Sequence, residues 1–273
     1  MLLNSEQKNS IEIQNQLVML WADVFGDSED YIRLFLPYLS NFEVFAVFEK
    51  EKIVSCFYLL PSEILCDGKS YNGYYLYAAA TKESCRGKGY MGGLIKEAIN
   101  ELREKADFIS LVPADEGLYS YYSRFGFESV MYNYETVISC KGVCDSFKDG
   151  KALSGKEVNK LRKKHLNNAH LFSDETMDYA LSCYGFSGSE FLQKGDISSL
   201  YVKDEKTAYE LFLEAGTKED YLSVIENNFE DRIKVISPFK LTEKSVKVKC
   251  GMVNAFPEAL KNEKEIYMNH TLM

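Results

Sequence analysis

The chain opens with two stretches in which apolar residues recur at helical spacing. The first stretch covers 11–25, and its apolar face consists of Leu17, Val18, Trp21, Val24 and Phe25. The second stretch covers 31–39 and repeats the spacing with Tyr31, Leu34, Phe35, Tyr38 and Leu39. Residues three and four positions apart lie on the same face of an α-helix. The pattern therefore predicts two amphipathic helices at the start of the chain.

The following segment is rich in β-branched and aromatic residues and indicates an antiparallel meander. Strands are predicted over 42–49, 52–60, 62–66 and 73–80, with a turn at Asp67-Gly68. Later apolar patterns predict a helix from the next glycine-rich turn to about Lys105, a short helix over 118–125 that ends at Gly126, and strands over 108–112 and 127–138. Helices and strands thus mix along this half of the chain.

A loss of periodicity over 139–155 indicates a connection between two domains. Beyond it, the pairs Ser154 with Glu157 and Thr217 with Asp220 predict helix capping boxes. Strands are predicted over 198–203, 207–214, 232–236 and 245–250. A chain of 273 residues is long enough for two cores. We therefore expect an α+β domain over 1–140 and a second one over 141–273.

Composition and charge exclude several classes of function. The hydrophobic share is 46% and the formal net charge is −9, which is ordinary for a soluble globular protein and argues against a general nucleic-acid binder or a protein that binds anionic membranes. The sequence has neither a secretion signal nor an apolar run of membrane-spanning length, so a cytoplasmic location is expected. Its seven cysteines are scattered, which predicts buried thiols and no metal site.

The segment SCRGKGYMGG, residues 84–93, contains a glycine pattern typical of phosphate binding. Its glycines are spaced as G-x-G-x-x-G, and Arg86 precedes the first of them. Such turns occur in dinucleotide-binding domains, in kinases and in acyl-CoA-dependent transferases. Kinase motifs do not follow this turn. Asp107, the acidic residue at about the dinucleotide-binding distance, precedes its strand instead of ending it, so an NAD(P)-binding oxidoreductase is only a distant alternative.

Two motifs resemble the GCN5-related N-acetyltransferase (GNAT) superfamily. The turn Arg86-Gly87-Lys88-Gly89-Tyr90-Met91 is similar to its acyl-CoA loop, and Tyr122 to Phe127 is similar to its Tyr-x-x-x-Gly-Phe helix ending. The wider stretch 114–127 most resembles the multi-domain branch named for enhanced intracellular survival. The resemblance implies a GNAT fold over 1–140, with a mixed, mostly antiparallel sheet flanked by helices. It also implies a degenerate GNAT-like lobe over 141–273.

The resemblance implies direct transfer of an acetyl group from acetyl-CoA to a primary amine of a small molecule or a protein. Expected cofactor-binding residues are Ala78, Ala79, Thr81, Arg86, Gly87, Lys88, Gly89, Tyr90 and Met91. A backbone N–H near Ala78 or Ala79 would polarise the thioester carbonyl, where the strand separates from its neighbour. Tyr122 is the expected general acid, since a phenol pKa of about 10 lies near a thiol pKa of about 8.5. Tyr119 and Tyr121 remain alternatives.

The same resemblance places the acceptor near the link between the first two helices. Phe25, Asp27 and Glu116 are the expected substrate-binding residues, because an acidic rim attracts cationic amines. Asp115, Glu116, a water chain and the C-terminal carboxylate remain open as the base. A homo-oligomer is also open. A non-catalytic sensor of acyl-CoA or another small molecule is the alternative function, since binding and catalysis use the same loop.

Overall fold

The computed structural model of the protein describes residues 1–141, 150–194, 197–202, 207–213, 217–228, 231–263 and 265–268. Contacts divide the chain into two compact units. The first unit comprises Met1–Ser129 and Gly251–Lys264, and the second comprises Val130–Cys250 and Glu265–Met273. Among the described residues, none of the helices has the length and apolar character needed to span a bilayer.

The first unit contains a mixed, mostly antiparallel sheet, as predicted. Its strands are β1 (Glu43–Glu49), β2 (Lys52–Cys66), β3 (Lys69–Thr81) and β4 (Phe108–Leu111). Antiparallel pairing joins β1 to β2 and β2 to β3, whereas β3 and β4 are parallel. Residues 252–255 of a later strand add an antiparallel neighbour to β4. The meander predicted from the alternating residues is therefore confirmed, with one parallel crossover at its end.

Helices cover both faces of this sheet. They are α1 (Ser5–Asn9), α2 (Ile11–Phe25), α3 (Glu29–Arg33), α4 (Tyr90–Leu102) and α5 (Glu116–Ser123). Trp21 of α2 packs on the rings of Tyr58 and Tyr77 on one face. Phe57, the strand neighbour of Tyr58, points to the other face and joins a core cluster with Leu94 of α4 and residues of α5. Period-two alternation thus places α2 and α4 on opposite sides.

The second unit is also α+β. Its first strands are β5 (Glu128–Ser139), whose first two residues belong to the first unit, β6 (Lys151–Ala152), β7 (Ala169–Phe172) and β8 (Glu190–Lys194). They are followed by β9 (Ile197–Val202), β10 (Thr207–Leu213), β11 (Arg232–Ser237), β12 (Val246–Ala255), whose residues 251–255 belong to the first unit, and β13 (Ile266–Tyr267). Its helices are α6 (Gly155–His165), α7 (Asp174–Phe186) and α8 (Lys218–Asn228), while α9 (Glu258–Lys261) lies in the first unit. Within the unit, β5 pairs with β11, and β11 with β10. Both predicted capping boxes form at the starts of α6 and α8.

The structure differs from the predicted elements at several places. Strands predicted over 52–60 and 62–66 are one strand, β2, because Pro61 is accommodated without ending it. The second predicted helix is divided into α3 and a 3₁₀ helix, Leu36–Asn41, with Pro37 in its first turn. Strands β7 and β8 and helix α7 were not predicted. Parts of the predicted connection at 139–155 lie outside the described residues.

Candidate functional site

An opening between two parallel strands of the first unit forms the floor of the candidate site. Strands β3 and β4 pair only from Gly73 opposite Phe108 to Tyr75 opposite Ser110, although β3 continues to Thr81. Within the described residues, the later part of β3 thus has an edge without a partner from β4. Such an edge can accept an extended chain by backbone hydrogen bonding. Separation of the strand from its neighbour, predicted from sequence, is present.

Gly73 sets the point at which the two strands meet. A Cβ atom at this position would lie 2.4 Å from the carbonyl oxygen of Phe108 and 2.6 Å from its ring. Contacts that short cannot be relieved while the backbones remain paired. Only glycine therefore allows the close approach of β3 and β4 at the base of the opening.

A β-bulge lies on the open part of β3. The register passes from Tyr58 opposite Tyr77 to Cys56 opposite Ala80, so that Ala78 and Ala79 both face Phe57. Ala78 has a φ of +47°, which is unusual for a residue with a side chain. Bulges leave backbone groups outside the regular ladder and redirect them. This bulge coincides with the two alanines from which a polarising N–H was predicted.

Hydrogen bonds fix the end of β3, from which the chain continues to the glycine-rich turn. The hydroxyls of Ser55 and Thr81 are 2.8 Å apart, and the Arg86 Nε donates a hydrogen bond to the carbonyl oxygen of Thr81 at 3.3 Å. Ser55 is completely buried, whereas Arg86 is exposed. The predicted residues Thr81 and Arg86 are therefore brought together, and the arginine connects the end of the strand to the start of the turn.

The turn itself is built by two glycines in the left-handed region. Gly87 has a φ of +79° and Gly89 a φ of +82°. Gly89 is the N-cap of α4, and no side chain caps the first N–H groups of this helix. A Cβ at Gly87 or Gly89 would have no atom within 4 Å, so the surface of the turn is open. Uncapped N–H groups at an open helix N-terminus favour an anion.

Two predicted ligand side chains of the turn are held by a carboxylate. The Lys88 ammonium donates to Glu49 Oε1 at 3.0 Å, and the Tyr90 hydroxyl donates to the same oxygen. These hydrogen bonds, that of Tyr90 first, lower the pKa of Glu49, and they raise the pKa of Lys88 and of Tyr90. Sequence reasoning missed Glu49, because no local signal connects the end of β1 to a turn 39 residues later.

The third glycine of the motif serves helix packing. A Cβ on Gly92 would lie 3.1 Å from the ring of Phe125 and 3.6 Å from the Tyr121 hydroxyl. Gly92 therefore allows α5 to approach the first turns of α4. Met91, beside it, packs partly buried against the core cluster, as expected for a helix residue. The third glycine of the G-x-G-x-x-G spacing is therefore explained by side-chain packing.

Asp107, the acidic residue considered for ribose binding, has a structural role. Its carboxylate accepts a hydrogen bond from the backbone N–H of Asn72 at 2.8 Å. This contact lies at the start of the pairing between β3 and β4, whereas the glycine-rich turn follows the opposite end of β3. The arrangement argues against a dinucleotide site.

Tyr122, the predicted general acid, is buried on α5. Its ring packs edge-on against Tyr121 and Phe127, with centroids 5.2 and 6.0 Å away. Burial, followed by the nearby Tyr121 and Asp115, raises the pKa of Tyr122 to about 12. The phenol is therefore less acidic than the value assumed from sequence. Its hydroxyl makes no hydrogen bond within the part of the chain that the structure describes.

Residues predicted to bind the acceptor lie in two places. Phe25 is 46% exposed and packs edge-on against Trp21 at the end of α2. The Trp21 Nε1 donates to Asp27 at 2.8 Å, so one carboxylate oxygen is already engaged. Glu116 is exposed in the first turn of α5, and Asp115 caps that helix by accepting from the Leu118 N–H at 3.1 Å. Trp21 thus joins Phe25 and Asp27, whereas Glu116 lies on a separate element, α5.

One group of ligand-type atoms lies elsewhere in the first unit. The atoms of Cys66, Asp67 and Glu263 that can bind a metal lie within 4.8 Å of one another. Burial, followed by a hydrogen bond to Glu263, raises the pKa of the Cys66 thiol to about 11. The thiol proton is therefore engaged by the carboxylate, and the group needs no metal to explain it. The prediction of no metal site stays a prediction.

Comparison with known proteins identifies the fold. Residues 10–130 match the family model of the acetyltransferase (GNAT) domain. A probable N-acyltransferase from Enterococcus faecalis V583 superposes with a TM-score of 0.66 at 15% identity, covering 90% of this chain and 70% of that one. Eis1 from Mycobacterium abscessus superposes with a TM-score of 0.64 at 10% identity, covering 90% and 72%.

A GCN5-related N-acetyltransferase from Anabaena variabilis superposes with a TM-score of 0.64 at 15% identity, covering 94% of this chain and 74% of that one. No curated protein sequence is significantly similar to the chain. At these identities the solved structures establish the fold alone. The chain has the GNAT fold predicted from its two motifs, and residues 10–130, less than half of its length, match the model of the acetyltransferase (GNAT) domain.

Proposed function

We propose that the protein is an acyl-CoA-dependent N-acyltransferase that moves an acetyl group from acetyl-CoA to a primary amine of a small molecule or of a protein lysine. One observation carries the proposal: an open glycine turn at a helix N-terminus follows the bulged end of β3, which has no partner from β4 there, after a short 3₁₀ helix, Glu83–Cys85. An anion site joined to a free strand edge fits a ligand with a diphosphate and an extended amide arm.

Backbone groups supply most of the proposed cofactor binding. N–H groups of the turn from Gly87 to Met91 would hold the diphosphate, since both glycines present an open surface. Arg86 adds positive charge in a chain whose net charge is −9, whereas the charge of Lys88 is paired with Glu49, so Lys88 would contribute through its backbone N–H. Ala78, Ala79 and Thr81 present the edge for the amide arm. The positive φ of Ala78 shows that the backbone departs from a regular strand there.

In the proposed transfer, the neutral amine attacks the thioester carbonyl, a C–N bond forms and the C–S bond breaks. The proton that the nitrogen loses passes through solvent and restores the phenol of Tyr122 after that residue has protonated the sulfur. An N–H at the bulge, from Ala78 or Ala79, would donate to the developing oxyanion. Tyr122 would donate its proton to the departing sulfur. A pKa of about 12 keeps this phenol protonated throughout the neutral range, so the donor is always present, although complete transfer to a thiolate is less favourable than from an unburied phenol.

The proposed acceptor site is acidic. Phe25 offers an exposed ring, and Asp27 and Glu116 offer carboxylates that attract a protonated amine before it loses its proton. We place the transfer in the domain over 1–140 and propose that residues 141–273 form a degenerate GNAT-like domain. The latter segment contains no second turn of the Arg-x-x-Gly-x-Gly type.

Ligand binding tests the proposal directly. Acetyl-CoA, but not NAD⁺ or NADP⁺, is expected to raise the melting temperature of the protein. Gly89→Glu is expected to abolish the shift, because it places bulk and negative charge on the turn. Gly68→Glu is the matched control, since Gly68 also has a positive φ of +74° and open space, but lies in the β2–β3 hairpin. Undiminished acetyl-CoA binding by Gly89→Glu would refute the assignment of the turn.

Turnover separates an enzyme from a sensor. Acetyl-CoA-dependent acetylation of members of an amine library is the result expected of an enzyme. Binding of acetyl-CoA without turnover across that library would favour the sensor instead.

A further inference from the structure

Glu49 contacts both residues that flank the N-cap of α4. One of its carboxylate oxygens accepts hydrogen bonds from the ammonium of Lys88 and from the hydroxyl of Tyr90. Gly89 lies between these two residues and has a left-handed backbone conformation. The turn is therefore held on both sides of its glycine by one side chain of β1.

The turn needs such support because its glycines have wide conformational freedom. Gly87 and Gly89 contact no other part of the protein at the position of a Cβ, and no side chain caps α4. Ordering a glycine costs more backbone entropy than ordering any other residue. A hydrogen-bonded clamp from a neighbouring strand lowers the entropy that a ligand would otherwise have to remove.

Charge alone does not explain a carboxylate beside an anion site. Glu49 is ionised, because hydrogen bonds from Tyr90 and Lys88 lower its pKa, and a negative charge at this place repels phosphate. Lys88 neutralises that charge at 3.0 Å, so the pair adds little net charge. The ammonium also lies 5.7 Å from the Tyr90 ring centre, which links the two clamped residues to each other. The carboxylate of Glu49 therefore contributes by fixing the positions of Lys88 and Tyr90.

We infer that Glu49 is a positioning residue of the acyl-CoA turn: by holding Lys88 and Tyr90, it sets the backbone around Gly89 in the shape that receives the diphosphate. The inference rests on the proposed function and adds a residue from a separate strand to it. It predicts that removing a negative charge weakens, rather than strengthens, the binding of a polyanion.

The test measures coenzyme A affinity by calorimetry and acetyl-CoA kinetics with an accepted amine. Glu49→Ala is expected to raise the Kd for coenzyme A and the KM for acetyl-CoA by roughly tenfold, with kcat at saturation unchanged, because one charge-assisted clamp is lost. Glu49→Gln keeps an acceptor for Tyr90 and is expected to bind with intermediate affinity. As a single substitution, Tyr90→Phe should weaken coenzyme A binding. Combined with Glu49→Ala, it should cause little further loss of affinity.

Glu51→Ala is the matched control. It removes the same charge from the same hairpin. Within the described residues, the hydrogen bond of Glu51 is one that its backbone carbonyl accepts from the Gln16 Nε2, so its side chain holds no partner in place. Its coenzyme A affinity should equal or slightly exceed that of the wild type. Equal or tighter binding by Glu49→Ala, or an unchanged KM with a lower kcat, would overturn the inference. Failure of the wild-type protein to bind coenzyme A would instead refute the proposed function itself.

Discussion

Substitution of Tyr122 by Phe separates the chemical role of this residue from its structural role. The change removes one oxygen and leaves the ring in place against Tyr121 and Phe127. Because the hydroxyl makes no hydrogen bond within the described residues, its loss leaves no protein partner unsatisfied there. The free energy of unfolding should change by less than about 0.5 kcal/mol.

The effect on turnover should be much larger. A positioned general acid contributes roughly 10²- to 10⁴-fold to rate, which corresponds to about 3 to 5 kcal/mol of transition-state stabilisation. Affinity for coenzyme A should not change, since the turn that binds the diphosphate is untouched. Stability and binding thus stay constant while kcat falls.

The assay follows thiol release at saturating acetyl-CoA and amine, together with calorimetric binding of coenzyme A and thermal unfolding. Tyr121→Phe is the control, because the Tyr121 ring is a direct neighbour on α5 and its hydroxyl is one of the two alternative donors, with Tyr119. It should retain kcat within a few-fold. A Tyr122→Phe enzyme with nearly wild-type kcat, or a larger loss in Tyr121→Phe, would refute the assignment of the acid.

Two further predictions concern stability. Gly73→Ala should lower the free energy of unfolding by roughly 2 kcal/mol in thermal or urea melts, because its Cβ would lie 2.4 Å from the Phe108 carbonyl oxygen. The control Gly93→Ala, with open space in α4, should be neutral or stabilising. An equal melting temperature for Gly73→Ala and wild type would contradict the close approach of β3 and β4. Burial, followed by the charge of Arg162, lowers the pKa of His170 to about 3, against about 6.5 when unfolded, so the stability from its neutral form is present above pH 6.5 and is lost as the pH falls toward 3. Urea melts from pH 7.5 to pH 5 should therefore show about 2 kcal/mol more loss in wild type than in His170→Leu, and parallel pH profiles would exclude this cause.

Local patterns predicted much of the fold because their causes are local. The apolar face of α2, the capping boxes at Ser154 and Thr217, and the helix that follows Gly89 depend on residues within a few positions of one another. Strand β2 was divided in the prediction at Pro61, a residue type that usually interrupts a strand. Its continuity through Pro61 depends on tertiary context, since the pairing with β3 persists to Cys66.

The site was predictable only as far as its motifs reach. The glycine turn and Tyr122 are visible as spaced residue types, but the clamp by Glu49 and the packing of Phe125 on Gly92 join residues that are distant in the chain. The pKa of Tyr122 was also out of reach, because it depends on burial among α5 and its neighbours and not on residue type. These features of the site depend on contacts between residues distant in the chain, so the motifs alone could not predict them.

A structure of the protein with bound coenzyme A tests the central claim most directly. The account predicts diphosphate oxygens within hydrogen-bonding distance of backbone nitrogens between Gly87 and Met91, with the amide arm along the edge of β3 from Ala78 to Thr81. Coenzyme A bound elsewhere, or a turn filled by its own side chains in the presence of saturating coenzyme A, would contradict it.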